Sequence, residues 1–115
     1  MKHAQLTELI SELKKNSIDN DVKIWKRVAT DLEKSSRRRR VVNIFKIDKN
    51  AKSGEIIIVP GKVLGSGELT KSVKVAAFNF SEDAYNKIKA QKGEALTIPE
   101  LMKTNPKGKK VRILG

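Results

Sequence analysis

Hydrophobic positions in the first third of the chain recur at helical spacing. Leu6, Leu9, Ile10 and Leu13 fall three, one and three residues apart, which places them on one face of a helix. Lys14 and Lys15 suit the negative end of that helix, and Asn16-Ser17 predicts its stop. Trp25, Val28, Ala29 and Leu32, with Val22 or Ile24 at the front edge, form the apolar face of a second helix. The short carboxylates and amide of residues 19–21 are placed to cap it. Two short amphipathic helices joined by a few polar residues predict an antiparallel helical hairpin, and Trp25 reads as its core.

Beyond residue 40 the pattern changes to β-type runs. Residues 41–47 are rich in β-branched side chains and read as a strand or extended segment. Residues 48–54 are polar and end in Ser53-Gly54, so they read as a turn or a short helical turn. Ile56, Ile57, Ile58 and Val59 form a continuous apolar run suited to a strand buried on both faces. Pro60-Gly61 punctuates it, with Lys62-Val63-Leu64 as a resumption. Residues 73–80 predict another strand. Ser81 is placed to cap a helix carrying Glu82 and Asp83 in its first turn, and Gly93 ends it. Residues 95–98 read as extended, and Pro99 suits the first turn of a last short helix through Met102. Asn105-Pro106-Lys107-Gly108 reads as a turn and residues 111–114 as a terminal strand. The expectation is an α/β chain forming a single domain over 1–115, with a helical hairpin over 1–36 and a basic α/β core over 37–115.

Charge alters this picture more than composition does. The 115 residues hold 25 Lys+Arg against 13 Asp+Glu, a net charge of +12. Self-repulsion on so small a body points to a polyanionic partner. The excess is not uniform: residues 1–36 sum to +1, residues 37–80 to +7 and residues 81–115 to +4. It starts at Arg37, Arg38, Arg39 and Arg40. Guanidinium groups are always charged and offer a fork that matches phosphate oxygens. A solvated run or a localisation signal is the plain alternative. Against it stands the continuation of charge through Lys46, Lys49, Lys52, Lys62, Lys71 and Lys74, then through Lys107, Lys109, Lys110 and Arg112. Each lysine alone is an ordinary surface residue; together they describe a basic face. Aromatic residues make up only 4%, and none is spaced as a stacking platform, which turns the expectation toward phosphate contacts with a folded RNA.

Other chemistry finds little support. There is no cysteine and a single histidine, His3, which reads as solvent-exposed, so no cofactor and no metal site is expected. No acid pair stands out as an acid/base couple. Gly61-Lys62 is followed by Val63 and lacks the spacing of a nucleotide P-loop. Gly65, Ser66 and Gly67 form either a loop that lets the backbone approach an RNA phosphate or simply a tight turn. No apolar stretch suits a signal peptide or a bilayer span, so neither secretion nor a membrane partner is expected. Neither is a small-molecule substrate.

Several stretches carry a family resemblance. They are Lys23-Ile24-Trp25-Lys26-Arg27-Val28-Ala29, the arginine cluster, Val42-Asn43-Ile44-Phe45-Lys46-Ile47, and Val59-Pro60-Gly61-Lys62-Val63-Leu64-Gly65-Ser66-Gly67-Glu68-Leu69. Val73-Lys74-Val75-Ala76-Ala77-Phe78 and Asn105-Pro106-Lys107-Gly108 complete them. The chain closely resembles the archaeal form of the L-eighteen-e family of large-subunit ribosomal proteins, which shares a superfamily with bacterial L-fifteen. Its brevity matches the archaeal form. The resemblance implies an irregular β-β-α superhelical core behind the N-terminal helices, and a cytoplasmic structural component of the large ribosomal subunit without catalysis of its own. Large-subunit rRNA and neighbouring ribosomal proteins are then the partners. Two positions depart from the family: Ser35-Ser36 stands where a Pro often follows the Lys ending the second helix, and Phe45 stands where a small hydroxyl residue is common. A hydroxyl contact to RNA does not carry over to Phe45. Phosphate contacts are expected from Arg37, Arg38, Arg39, Arg40, Lys46, Lys49, Lys62, Lys71 and the Gly65, Ser66, Gly67 loop. Lys107, Lys109, Lys110 and Arg112 would add peripheral ones. The rival is a free-standing, chromatin-like DNA-binding protein, which basicity alone permits.

Overall fold

In the computed structural model, residues 3–34 and 39–114 are described. They form ten elements: α1 (His3–Asn20), α2 (Lys23–Glu33), β1 (Arg40–Asn43), α3 (Ile44–Asn50), β2 (Ile56–Leu64), β3 (Lys74–Phe80), α4 (Glu82–Ala90), β4 (Glu94–Thr97), α5 (Ile98–Thr104) and β5 (Val111–Ile113). The class is α/β, as expected.

All pairings in the sheet are parallel. β2 is the axis. β3 lies along one side of it, followed by β4. The other side is shared end to end, with β5 pairing Ile56 to Ile58 and β1 pairing Gly61 to Leu64. A parallel sheet must be covered on both faces, and this one is. On one face Val42, Ile57, Val59, Val63, Val75 and Ala77 pack with Ile44 and Ile47 of α3 and with Ala84 and Ile88 of α4. On the other, Ile58 and Ala76 meet Leu9 and Leu13 of α1, Trp25, Val28 and Leu32 of α2, and Ile98 and Leu101 of α5. Trp25 is fully buried, and its indole N–H donates to the Pro106 carbonyl at 2.7 Å, so its one polar atom is satisfied.

The structure departs from the sequence reading in three places, each for a physical reason. α1 continues past Asn16-Ser17 to Asn20. There Asp21 takes φ +54°, Val22 N–H donates to Ser17 O at 3.0 Å and Asp21 N–H to Ile18 O at 3.3 Å. This is a Schellman stop in which Asp occupies the left-handed position. The polar 19–21 stretch therefore ends α1 instead of capping α2, whose N-cap is Val22 with no side-chain bond. Second, the 41–47 run is a strand only to Asn43; from Ile44 it is helix. Ile44 and Ile47 are three apart and both fully buried, whereas Phe45 and Lys46 are exposed. Packing thus overrides the β-branched preference. Third, β2 runs unbroken through Pro60-Gly61. Pro60 falls between the last β5 partner of β2 (Ile58) and its first β1 partner (Gly61), where the register against β3 also shifts. A residue without an N–H is tolerated at such a junction.

Among the described residues no helix is long and apolar enough to cross a membrane, and no group of three or more His, Cys, Asp or Glu is arranged to hold a metal ion.

Candidate nucleic-acid interface

The basic residues separate toward the two ends of the sheet. At the end toward which the strands run lie Arg39, Arg40, Lys62 and the 65–67 loop. Arg40 pairs with Gly61 in the strand register, Val41 pairs with Lys62, and β2 closes two residues later at Leu64. Lys46 belongs to the first turn of α3, which starts at this end directly after β1. At the opposite end lie Lys71, before β3, and Lys107, Lys109 and Lys110, before β5. Arg112 is within β5, and Lys49 lies in the last turn of α3 beside it. Arg37 and Arg38, the Ser35-Ser36 step and the side chain of His3 lie outside the described residues.

Several of these cations already have partners within the fold. Arg40 directs Nε and a terminal nitrogen at Asp31 Oδ2, each at 3.1 Å. Asp31 is only 3% exposed, and its other oxygen lies 3.2 Å from Lys34 Nζ. One buried carboxylate therefore holds the residues on both sides of positions 35–38. Lys71 Nζ donates to Ala51 O at 3.1 Å. Arg112 donates to Asn50 O and forms an ion pair with Glu55 at 3.1 Å. By contrast, Lys46, Lys49, Lys62, Lys107, Lys109 and Lys110 are exposed, and their ammonium groups have no partner among the described residues.

The glycine loop is fastened from three directions. Lys87 of α4 donates to Gly65 O at 2.6 Å and Gly67 O at 2.8 Å, while Phe45 N–H donates to Ser66 O at 3.0 Å. All three loop carbonyls are thereby occupied from inside. Farther along the same connection, Asp48 accepts from the Thr70 N–H at 2.8 Å and the Thr70 hydroxyl at 2.9 Å. The Thr70 amide, then its hydroxyl, hold the Asp48 carboxyl below its ordinary value, with help from Lys71. Gly67 sits at φ +100° with Phe45 against it, so a Cβ there would come within 2.5 Å of Phe45 Cβ. Gly65 is buried; Ser66 and Gly67 are exposed.

The sequence indicated the charged residues but missed the groups that hold them. Asp31 entered only in the charge balance of residues 1–36, yet it is the buried polar residue of α2. Lys87 was not singled out, although its i,i+4 spacing from Asp83 is a local signal and the two lie 3.5 Å apart. Phe78 was visible only as part of the strand expected over residues 73–80, but it carries the Arg39 guanidinium 5.2 Å from its ring centroid. No local signal announces contacts that span 20 residues or more.

Comparison with known proteins decides the family. The model of the family described as "Ribosomal protein 60S L18 and 50S L18e" matches residues 6–115. The chain is 54% identical over 110 residues to the large ribosomal subunit protein eL18 of Methanoregula boonei, covering 96% of this chain and 91% of that one. It is 50% identical over 109 residues to the eL18 of Archaeoglobus fulgidus (95% and 93% covered) and 50% over 107 residues to that of Methanococcus maripaludis (93% and 89% covered). The chain belongs to this ribosomal-protein family. In this chain α3 and β2 carry Lys46 and Lys62, and Lys87 of α4 holds the 65–67 loop.

Proposed function

We propose that this chain is a structural constituent of the large subunit of the cytoplasmic ribosome, without catalysis of its own, and that it binds folded large-subunit rRNA through phosphate contacts. Direct contacts fall to Arg37, Arg38, Arg39, Lys46, Lys49, Lys62 and the Gly65, Ser66, Gly67 loop. Lys107, Lys109 and Lys110 contribute more peripherally. Arg40, Lys71 and Arg112 hold the scaffold that carries these groups. The nearly neutral hairpin serves as scaffold and as a surface for neighbouring ribosomal proteins.

The observation that carries this reading is the set of exposed lysines without internal partners, on a chain of this family. Unpaired ammonium groups on rigid elements contribute little to folding and much to a polyanion. The loop adds to it: each of its three carbonyls already accepts a hydrogen bond from Lys87 or Phe45, which holds the exposed Ser66 and Gly67 in place.

Counterion release supplies the test. Log affinity for a large-subunit rRNA transcript should fall steeply with log salt. Changing Arg37, Arg38 and Arg39 together to Ala should flatten that slope by about two units, at ~0.7–0.9 for each phosphate contact. Adding Arg40→Ala should weaken binding through the fold with little further change in slope. An unchanged slope in the triple variant removes the cluster from the interface, and duplex DNA competing as well as rRNA would favour a free-standing DNA-binding protein.

A further inference from the structure

Beside β1 and β2, on the hairpin side of the sheet, lies a cleft of about 230 Å³ lined by Arg39, Arg40, Val41, Gly61, Lys62, Phe78 and Asn79. Its chemistry is one-sided. Lys62 is exposed and its ammonium group has no partner among the described residues. Asn79 gives its side-chain oxygen to the Phe80 N–H at 2.9 Å, which leaves its NH₂ group as a donor. Arg39 sits over the Phe78 ring, and its Nε is buried with no hydrogen-bond partner among the described residues. Arg40, the remaining cation, is matched by Asp31. No carboxylate lines the cleft.

A buried guanidinium N–H without an acceptor is costly unless a ligand completes it. Arginine, lysine and a committed asparagine amide supply donors only, so the missing group is an acceptor-rich anion. Stacking on Phe78 fixes the plane of the guanidinium, and a fixed fork suits two oxygens of one tetrahedral group. Val41, 58% exposed at the rim, gives the neighbouring wall an apolar surface. That suits a ribose or base edge better than the carboxylates of an acidic peptide.

We propose that this cleft seats a single phosphodiester of the bound RNA, with Arg39 as its principal ligand, Lys62 and the Asn79 amide as co-ligands, and Phe78 as the residue that positions Arg39. The proposal rests on the RNA-binding reading above and deepens it by separating one arginine from the cluster: Arg39 binds by geometry as well as charge.

Arg39→Lys tests this because it keeps the charge and removes the fork. Binding of the full chain to a large-subunit rRNA transcript should weaken by roughly tenfold, the scale of one lost charge-assisted hydrogen bond. The salt slope should stay the same, and the thermal midpoint should hold within a few degrees. Wild-type affinity in Arg39→Lys would overturn the assignment. A second readout does not depend on the RNA. On titration with inorganic phosphate, the Arg39 Nε–H and Asn79 side-chain amide NMR signals should shift together in the wild-type chain, and the Asn79 shift should be lost in Arg39→Lys. If neither signal responds to phosphate, the cleft is not an anion seat. A larger response to a poly-glutamate peptide than to phosphate would overturn the RNA assignment in favour of an acidic protein segment. Phosphate-induced shifts in a chain that fails to prefer rRNA over duplex DNA would support the seat and count against the rRNA reading.

Discussion

The two ends of the sheet carry similar numbers of basic residues and use them differently. Where the strands finish, Lys46 and Lys62 have no partner among the described residues and the glycine loop is held from within by Lys87 and Phe45. Where the strands begin, Arg112 is bound to Asn50 and Glu55, Lys71 to Ala51, and Lys74 to Glu94 at 3.4 Å. At the first end internal contacts, the Arg40–Asp31 pair among them, fix the backbone beside Lys46 and Lys62; at the second Arg112, Lys71 and Lys74 tie elements together, while Lys49, Lys107, Lys109 and Lys110 have no partner among the described residues. Net charge does not distinguish these uses. The same +12 contains groups that hold the fold and groups that face outward, and only internal pairing tells them apart.

The comparison can be broken most severely at the junction where β1 meets β2. A Cβ on Gly61 would overlap the backbone carbonyl of Arg40, and backbone has no rotamer with which to retreat. Gly61→Ala should cost about 3 kcal/mol or more, seen as a large fall in the urea midpoint and loss of the β1 pairing that positions Arg39 and Lys62.

Removing Asp31 strikes the same region through charge. Arg40, with its side chain 21% exposed, would lose its partner while remaining largely desolvated. Asp31→Ala should therefore destabilise the chain by about 3 kcal/mol, whereas replacing Asp31 and Arg40 together with Leu and Met should be far milder, because the cost lies in the orphaned charge. Equal losses in the single and double variants would show that the pair holds no such role.

A third contrast sets one end against the other directly. Gly67 and Gly54 both have positive φ, +100° and +81°. An added Cβ at Gly67 meets Phe45, while at Gly54 its nearest neighbour is the tip of Lys110 at 4.0 Å. Gly54→Ala should cost about 1 kcal/mol from backbone strain alone, and Gly67→Ala about 2–3 kcal/mol together with weaker rRNA binding. Similar costs at both sites would mean that the first loop is no more tightly built than the second.

These contrasts also show what was legible in the sequence. The hairpin faces were, since Leu9, Leu13, Trp25, Val28 and Leu32 follow a local period that tertiary packing only has to accept. The Ser81 cap was as well, unlike the one expected from residues 19–21: Ser81 accepts from the Ala84 N–H at 3.1 Å, a signal carried within four residues. α3 was not, because Ile44 and Ile47 bear the same β-branched side chains a strand would use, and only the core they meet makes them helical. The unbroken β2 was not, because Pro60 is harmless only where two separate strands abut. Within the site the lysines and arginines were visible as charge. What decides their use, Asp31 for Arg40, Phe78 for Arg39 and Asn50 with Glu55 for Arg112, lies 9 to 62 residues away in sequence.

The smallest effect separates the two fastenings of the 65–73 connection by pH. Lys87 grips carbonyl oxygens, which do not titrate. Asp48 grips Thr70 as a carboxylate, and the Thr70 amide and hydroxyl hold its ionisation below the ordinary value. A carboxyl whose folded value is depressed adds stability that is complete above its unfolded value, near pH 4, and is lost as pH falls through the lower folded value. Asp48 is only partly buried, so the global midpoint should move little. Local opening should still be resolved: acidification to about pH 3 should speed amide exchange at Thr70 while leaving the residues clamped by Lys87 unchanged. Thr70→Val should return the Asp48 titration, followed by NMR, only part of the way to an ordinary carboxylate, because the Thr70 amide, the larger cause, and Lys71 are both retained. If Gly67 opens together with Thr70, the connection is one cooperative unit and the glycine loop owes its order to Asp48 as much as to Lys87.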